Sequence, residues 1–232
     1  MCNNKDIDYR NFTGFTLAEV LITLGIIGVV AAITLPILVQ NHKRKVVGVK
    51  LKNFYNIVKQ AEERYLFDEF GDKVLWDSVN GYESFERIKK YINVVDSYKL
   101  DDRNRKYAIF IFNDGSAVVP STNVIDYFPF AKDIEKCIIR NEVVQGKCIG
   151  TKLFRFVYFS DTGLSPVEYP FHNNIEWYNH PEYWSSLNKY RSACHKDNSP
   201  DGATGLNDAP VFCTKVLQLN NWEFPKDYPF KL

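Results

Sequence analysis

Little in this sequence points to catalysis. Among 232 residues there are four histidines, His42, His172, His180 and His195, and one methionine. No P-loop, HExxH pair or GxSxG turn occurs, which removes the common nucleotide, metalloprotease and serine-hydrolase readings. Cys194 and His195 are neighbours, but adjacent side chains usually point apart, and a nucleophile takes its base from a distant segment. No CxxC pair marks a zinc site, and there is no internal repeat or low-complexity linker. Charge of one sign is not in excess either: 29 Lys+Arg against 28 Asp+Glu leave +1, and so no global case for nucleic acid or an acidic partner. A mean hydropathy of −0.28 excludes a polytopic membrane protein. With 15% aromatics and balanced charge, disorder is excluded as well. The length suits one domain, with or without an appendage.

The hydrophobicity is unevenly placed. From Val20 to Asn41 no residue is charged, and Val20 to Val39 reads VLITLGIIGVVAAITLPILV. As a helix at about 1.5 Å per residue this run spans roughly 30 Å, the thickness of bilayer hydrocarbon. No second run of this kind exists, so a single crossing is expected. The residues before it do not form a secretory signal, because no small-residue cleavage site follows the apolar stretch. Instead a polar leader, MCNNKDIDYRNFTG, precedes it, and Glu19 stands near its start.

Gly14-Phe15-Thr16-Leu17-Ala18-Glu19-Val20-Leu21 closely resembles the N-terminal processing motif of type IV pilins and type II secretion pseudopilins. The resemblance is detailed over about residues 10–40 and general beyond them. It implies that a prepilin peptidase cuts between Gly14 and Phe15 and methylates the new Phe15 amine. Glycine suits such a cut because it lets backbone enter a narrow site. It also implies a role for Glu19. A carboxylate at the membrane margin is costly unless paired, and in the family it meets the N-terminal amine of a neighbouring subunit, which sets axial register. Alone, Glu19 reads as an interfacial residue snorkelling to water. Pro36 removes one helical hydrogen bond, and Gly25 and Gly28 permit close packing. These are either weak points used on assembly or ordinary tolerance in a membrane helix. One feature disagrees with the family's topology: Lys43, Arg44, Lys45, Lys50 and Lys52 follow the span, and the positive-inside tendency would keep the C-terminal part in the cytoplasm.

Val47, Leu51, Phe54, Val58, Ala61 and Tyr65 recur at spacings of four and three, one apolar stripe with Lys52, Lys59, Glu62 and Glu63 off it. The expectation is one long helix over about 16–67, its second half lying on the chain's own head. Lys43-Arg44-Lys45 reads as a headgroup anchor in preference to a nucleic-acid site. Tyr82, Phe85, Ile88 and Ile92 predict a short amphipathic helix. Residues 106–112 and 116–120 flank Asn113-Asp114-Gly115, which is hairpin chemistry, and 153–160 predict a further strand. Beyond Ser165 the chain reads as loop-rich, with a helix at 181–192. The aromatics Trp177, Tyr178, Tyr183 and Trp184 read as staples of that region rather than as a sugar platform.

Cys2 falls in the leader, leaving Cys137, Cys148, Cys194 and Cys213. Four cysteines allow three connectivities. The expected one, Cys137–Cys148 with Cys194–Cys213, closes short local loops and places the head in an oxidising compartment. Between the last two lies Asp197-Asn198-Ser199-Pro200-Asp201-Gly202, with Asp208 at the twelfth position. Asp197, Ser199, Asp201 and Asp208 match an EF-hand-type calcium loop. Against that reading stand Pro200, the short Asp208 and the lack of flanking helices, and an ordinary turn-rich loop is preferred.

The whole reads as an α+β, pilin-like fold: a long N-terminal helix packed on a small antiparallel β-sheet, with a loop-rich, disulfide-containing C-terminal region. The divisions are a leader (1–14), a transmembrane or filament-core helix (15–41), an amphipathic half (42–67) and a head (68–232). By the resemblance, the chain is a non-enzymatic subunit of a pilus or pseudopilus. Its partners are identical or related subunits, the prepilin peptidase, the inner-membrane assembly platform and the membrane itself. The head would be extracytoplasmic. The alternative is a single-span anchored binding protein (for sugar or DNA) or enzyme with an uncleaved anchor.

Overall fold

The computed structural model describes residues 14–68, 81–102, 105–121, 124–138, 148–159, 163–166, 194 and 212–232. The chain forms two compact units, Met1–Asn41 and His42–Leu232. Helix α1, Leu17–Asp68, runs from one into the other and contains Pro36 without interruption. The proline lacks an N–H, so the carbonyl of Ala32 loses its intrahelical donor there. In the first unit the apolar side chains of α1 from Leu17 to Val39 are exposed on every face, and α1 is long and apolar enough to cross a membrane. Two polar groups inside this stretch are satisfied locally. The Thr23 hydroxyl donates to the Val20 carbonyl at 3.0 Å, and the Thr34 hydroxyl to that of Val30 at 2.9 Å.

The second unit is built on the other half of α1. Val47, Leu51, Phe54, Val58 and Ala61 are all buried, as their spacing predicts, and Tyr65 packs at the margin. Opposite lies a six-stranded sheet in strict sequence order: β1 (Val94–Asp102), β2 (Arg105–Phe112), β3 (Ala117–Pro120), β4 (Val124–Phe128), β5 (Phe154–Phe159) and β6 (Gly163–Pro166). Every neighbouring pair is antiparallel. A meander of this kind needs only short connections, which matches the turn chemistry at Asp114-Gly115. There Gly115 takes φ 76°, and the Asp114 carboxylate accepts from the Ser116 N–H at 2.9 Å and hydroxyl at 2.5 Å. Phe54 joins helix to sheet, stacked on Tyr127 at 4.3 Å and edge-on to Phe156 at 5.3 Å. Helix α2 (Gly81–Ile88) presents Phe85 and Ile88 to the same core.

Two polar contacts lie inside this packing. Asp126 and Arg155 face one another across β4 and β5 and bond bidentately at 2.8 and 2.9 Å. Burial works against the guanidinium charge, but the Asp126 charge and hydrogen bonds outweigh it and leave the Arg155 pKa raised. Glu62, set off the apolar stripe by its spacing, is nevertheless buried. Its carboxylate accepts the Leu164 N–H at 2.7 Å and pairs with Lys59 at 3.0 Å, closing the β6 edge of the sheet onto α1. Gly163 is required there. It has φ 71°, and a Cβ would come within 2.6 Å of the Glu62 carboxylate.

Strand β6 ends at Pro166, just where the loop reading begins, and the region beyond Ser165 includes a helix, α4 (Cys213–Leu219); the local sequence announces neither element. Strands β1 and β4 were likewise not legible. A short α3 (Ile134–Cys137) precedes the first bridge. The disulfides join Cys137 to Cys148 and Cys194 to Cys213, all four buried. The helix expected at 181–192 and the aromatics Trp177, Tyr178, Tyr183 and Trp184 lie outside the described residues.

Candidate functional site

The N-terminal end of α1 carries the residues singled out by the sequence. Gly14, Phe15 and Thr16 precede the helix, and Thr16 caps it. The Glu19 carboxylate accepts from the Thr16 N–H at 2.7 Å and from the Thr16 hydroxyl at 2.9 Å. In return the Glu19 N–H donates to Thr16 Oγ1 at 3.2 Å. This is a reciprocal capping box, Thr-x-x-Glu, which satisfies N–H groups that a helix start otherwise leaves open. The Val20 N–H donates to the Thr16 carbonyl at 3.2 Å and begins the helical ladder. The sequence motif includes Thr16, and the structure adds its hold on Glu19. The signal was available in the three-residue spacing.

Phe15 is 87% exposed. A Cβ placed on Gly14 would meet no atom within 4 Å, and the same holds for Gly25 and Gly28. The fold of this chain therefore makes no demand for glycine at these three positions. The Glu19 carboxylate, the glycine–phenylalanine junction and the apolar helix behind them are all exposed.

Among the described residues no three His, Cys, Asp or Glu side chains converge as a metal site. Asp197, Ser199, Asp201 and Asp208 lie outside the described residues, as does His195. Cys194 is in a disulfide, so it has no thiolate to use as a nucleophile. A cleft of about 130 Å³ opens beside α1, floored by Phe54, Phe112 and Tyr127 and rimmed by Asn53 and Asn93. Its one cation, Lys50, is committed to the carbonyls of Asp114 and Pro129 at 2.6 and 3.0 Å and lies 5.0 Å from the Phe130 ring centre.

The basic run after the span divides differently from its sequence reading. Arg44 is not a free headgroup anchor. It lies 6.0 Å from the ring centres of both Phe224 and Tyr228 and donates to the Phe230 carbonyl at 3.3 Å. An arginine on aromatic faces gains from cation–π attraction while its stem stays packed. Two of the five cations after the span, Arg44 and Lys50, are thus taken up inside the head.

Residues 9–35 match the prokaryotic N-terminal methylation motif, and residues 37–232 match the Family of unknown function (DUF6613). No curated protein and no solved structure matches the chain. The chain is type IV pilin-like, with its methylation motif at the head of an apolar helix and disulfides in the C-terminal region. Over residues 37–232 it belongs to the Family of unknown function (DUF6613).

Proposed function

We propose that this chain is the precursor of a structural subunit of a type IV pilus or type II secretion pseudopilus. In this reading residues 1–14 are a leader removed by a prepilin peptidase, and Phe15 becomes a methylated N-terminus. Residues 15–41 hold the subunit in the bacterial inner membrane and later form the filament core. Residues 42–67 carry the extracytoplasmic head, 68–232. The chain performs no catalysis itself, and the reading invokes no cofactor. The observation that carries it is the methylation motif placed at the start of a 52-residue helix whose apolar first half is exposed on every face. The outward-facing Gly14-Phe15 junction supports it, because a glycine unneeded by the fold leaves recognition from outside as its use.

Within this function Glu19 has two states. In the single chain Thr16 holds its carboxylate. In the filament the amine of a neighbouring subunit takes over, and docking that leaves either charge unpaired is penalised by desolvation. Mass spectrometry of the purified chain tests the processing step: an N-methylated Phe15 start is expected, and an intact Met1 or Cys2 start removes the proposal. Glu19→Ala is expected to insert and be processed normally but to yield no filaments. Filaments at the level of the unaltered chain would sink the register role of Glu19.

A further inference from the structure

The charges on the second half of α1 fall into two sets. Arg44, Lys50, Lys59 and Glu62 are committed to the head or to one another. Lys45, Lys52, Glu63 and Arg64 are exposed and make no hydrogen bond or ion pair among the described residues. Of these, Lys45 and Glu63 are the first and last charges of the line opposite the buried stripe. They stand 18 positions apart, which is five turns of an α-helix, so they share one line along it, about 27 Å apart. Val49 and Phe67 are also 18 positions apart, each one turn beyond its charged neighbour. They are 52% and 87% exposed, and Phe67 is the most exposed apolar side chain of the helix's second half. The outward face of α1 therefore repeats: a cation beside an apolar residue, then, five turns on, an anion beside an apolar residue.

We infer that this stripe is a docking surface for a second copy of the same chain, displaced along α1 by five turns. Glu63 and Phe67 of one copy then lie beside Lys45 and Val49 of the next. The inference rests on the filament reading above and names a contact within it. Copies held in one membrane by their N-terminal segments run parallel. In equal register, parallel copies set Lys45 against Lys45 and Glu63 against Glu63, which is repulsive twice over. A five-turn offset converts both clashes into an opposite-charge pair and covers both apolar side chains. Copies wound about a common axis turn the same face inward, so one line on the helix meets itself at a different height. The contact is heterologous, one end of the stripe against the other, and such contacts propagate instead of closing on a pair. Lys52 offers a competing register of 11 positions, but that would set Phe67 beside Asn56 and leave Val49 uncovered.

Cysteine crosslinking in the full-length chain, assembled in its own secretion or pilus system, tests the register. Val49→Cys combined with Phe67→Cys is expected to give an interchain disulfide ladder along filaments, while Asn56→Cys with Phe67→Cys gives none. Lys45→Glu and Glu63→Lys are each expected to lower filament yield several-fold, and the double exchange to restore it. A ladder from the Asn56 pair alone overturns the five-turn register, as does capture of a different protein by the cysteine at 67. Processed, normally assembled filaments without the 49–67 crosslink overturn the register and leave the function standing. An unprocessed chain that forms no filaments overturns both.

Discussion

At the scale of single residues, one glycine just before α1 and two within it show that the same residue type answers to different causes. Gly14 and Gly25 face open space, so whatever requires them is not this fold. Gly48 is the opposite case. A Cβ there would collide with the Trp222 carbonyl oxygen, and that carbonyl is backbone, held on both sides. The Trp222 ring lies between Tyr55 at 5.3 Å and Phe156 at 6.3 Å. Asn221 and Trp222 both adopt positive φ, 57° and 65°, a conformation that costs of order 1–3 kcal/mol for a bulky residue. Nothing near can yield cheaply. Gly48→Ala is therefore expected to destabilise the head by about 1–3 kcal/mol. The neighbouring exposed Val49→Ala should change stability by no more than about 0.5 kcal/mol. Thermal unfolding of the two variants side by side measures this, and equal midpoints would contradict the close-approach argument. Residue-level contacts of this kind were the least legible in the sequence. The Arg44 partners at 224, 228 and 230 and the Glu62 partner at 164 stand more than a hundred positions away, and no local pattern reports them.

At the scale of elements, legibility followed periodicity. The α1 stripe, the α2 face and the hairpin at Asp114-Gly115 each carry a repeat or a turn residue that acts locally, and each formed where its pattern put it. Strand β1 failed to announce itself because Asp96, Ser97 and Lys99 interrupt any alternation. It lies at an edge of the sheet, where polar side chains on both faces are tolerated. Helix α4 failed for another reason. Its seven residues include Thr214 and Val216 and have weak intrinsic helicity, so tertiary fixation supplies what propensity does not. Cys213 begins the helix and is bridged to Cys194, and the chain leaving it returns through Trp222 to Gly48. The bridge spans 19 positions, a loop for which chain-entropy arguments give about 3 kcal/mol. Replacing Cys194 and Cys213 together by serine is expected to lower stability by about that amount in calorimetry. It should also expose the backbone amides of α4 to hydrogen exchange before those of β2 and β5. Loss of protection in all three elements at the same rate would show that α4 is not separately fixed by its bridge. The processing end of α1 was legible for the opposite reason: Gly14, Phe15, Thr16 and Glu19 act within six consecutive positions.

At the scale of the whole molecule, two buried tyrosines, Tyr127 and Tyr228, and a partly buried third, Tyr158, tie separate parts of the head to one titration. Tyr127 in β4 donates its hydroxyl to the Lys50 carbonyl of α1 at 3.2 Å. Tyr228, near the C-terminus, donates to the Gly150 carbonyl at 2.6 Å, beside the Cys213 bridge. Tyr158 belongs to β5, near Glu62. Burial pushes the phenol of each far above its usual value; for Tyr158 the Glu62 charge adds to the effect, while for Tyr228 the nearby Arg44 charge partly opposes it. A group whose pKa is raised on folding contributes stability that is whole below the unfolded-state pKa and is lost as pH climbs past it. For tyrosine that reference lies near 10, so stability is flat in these three groups through neutral pH and falls above about pH 10. Each tyrosine steepens the fall toward about 1.4 kcal/mol per pH unit. Arg155 does not offset the loss, because its raised pKa keeps it charged and paired with Asp126 throughout this range. Denaturant midpoints measured from pH 8 to 11 are therefore expected to hold level and then drop. Tyrosinate absorbance from these three groups should appear together with unfolding, in one step, while the exposed tyrosines ionise earlier. Because the three phenols sit on β4, on β5 and on the C-terminal segment, one shared step requires that these parts open together. Ionisation of any one of them in the still-folded chain would mean that its part of the head opens alone.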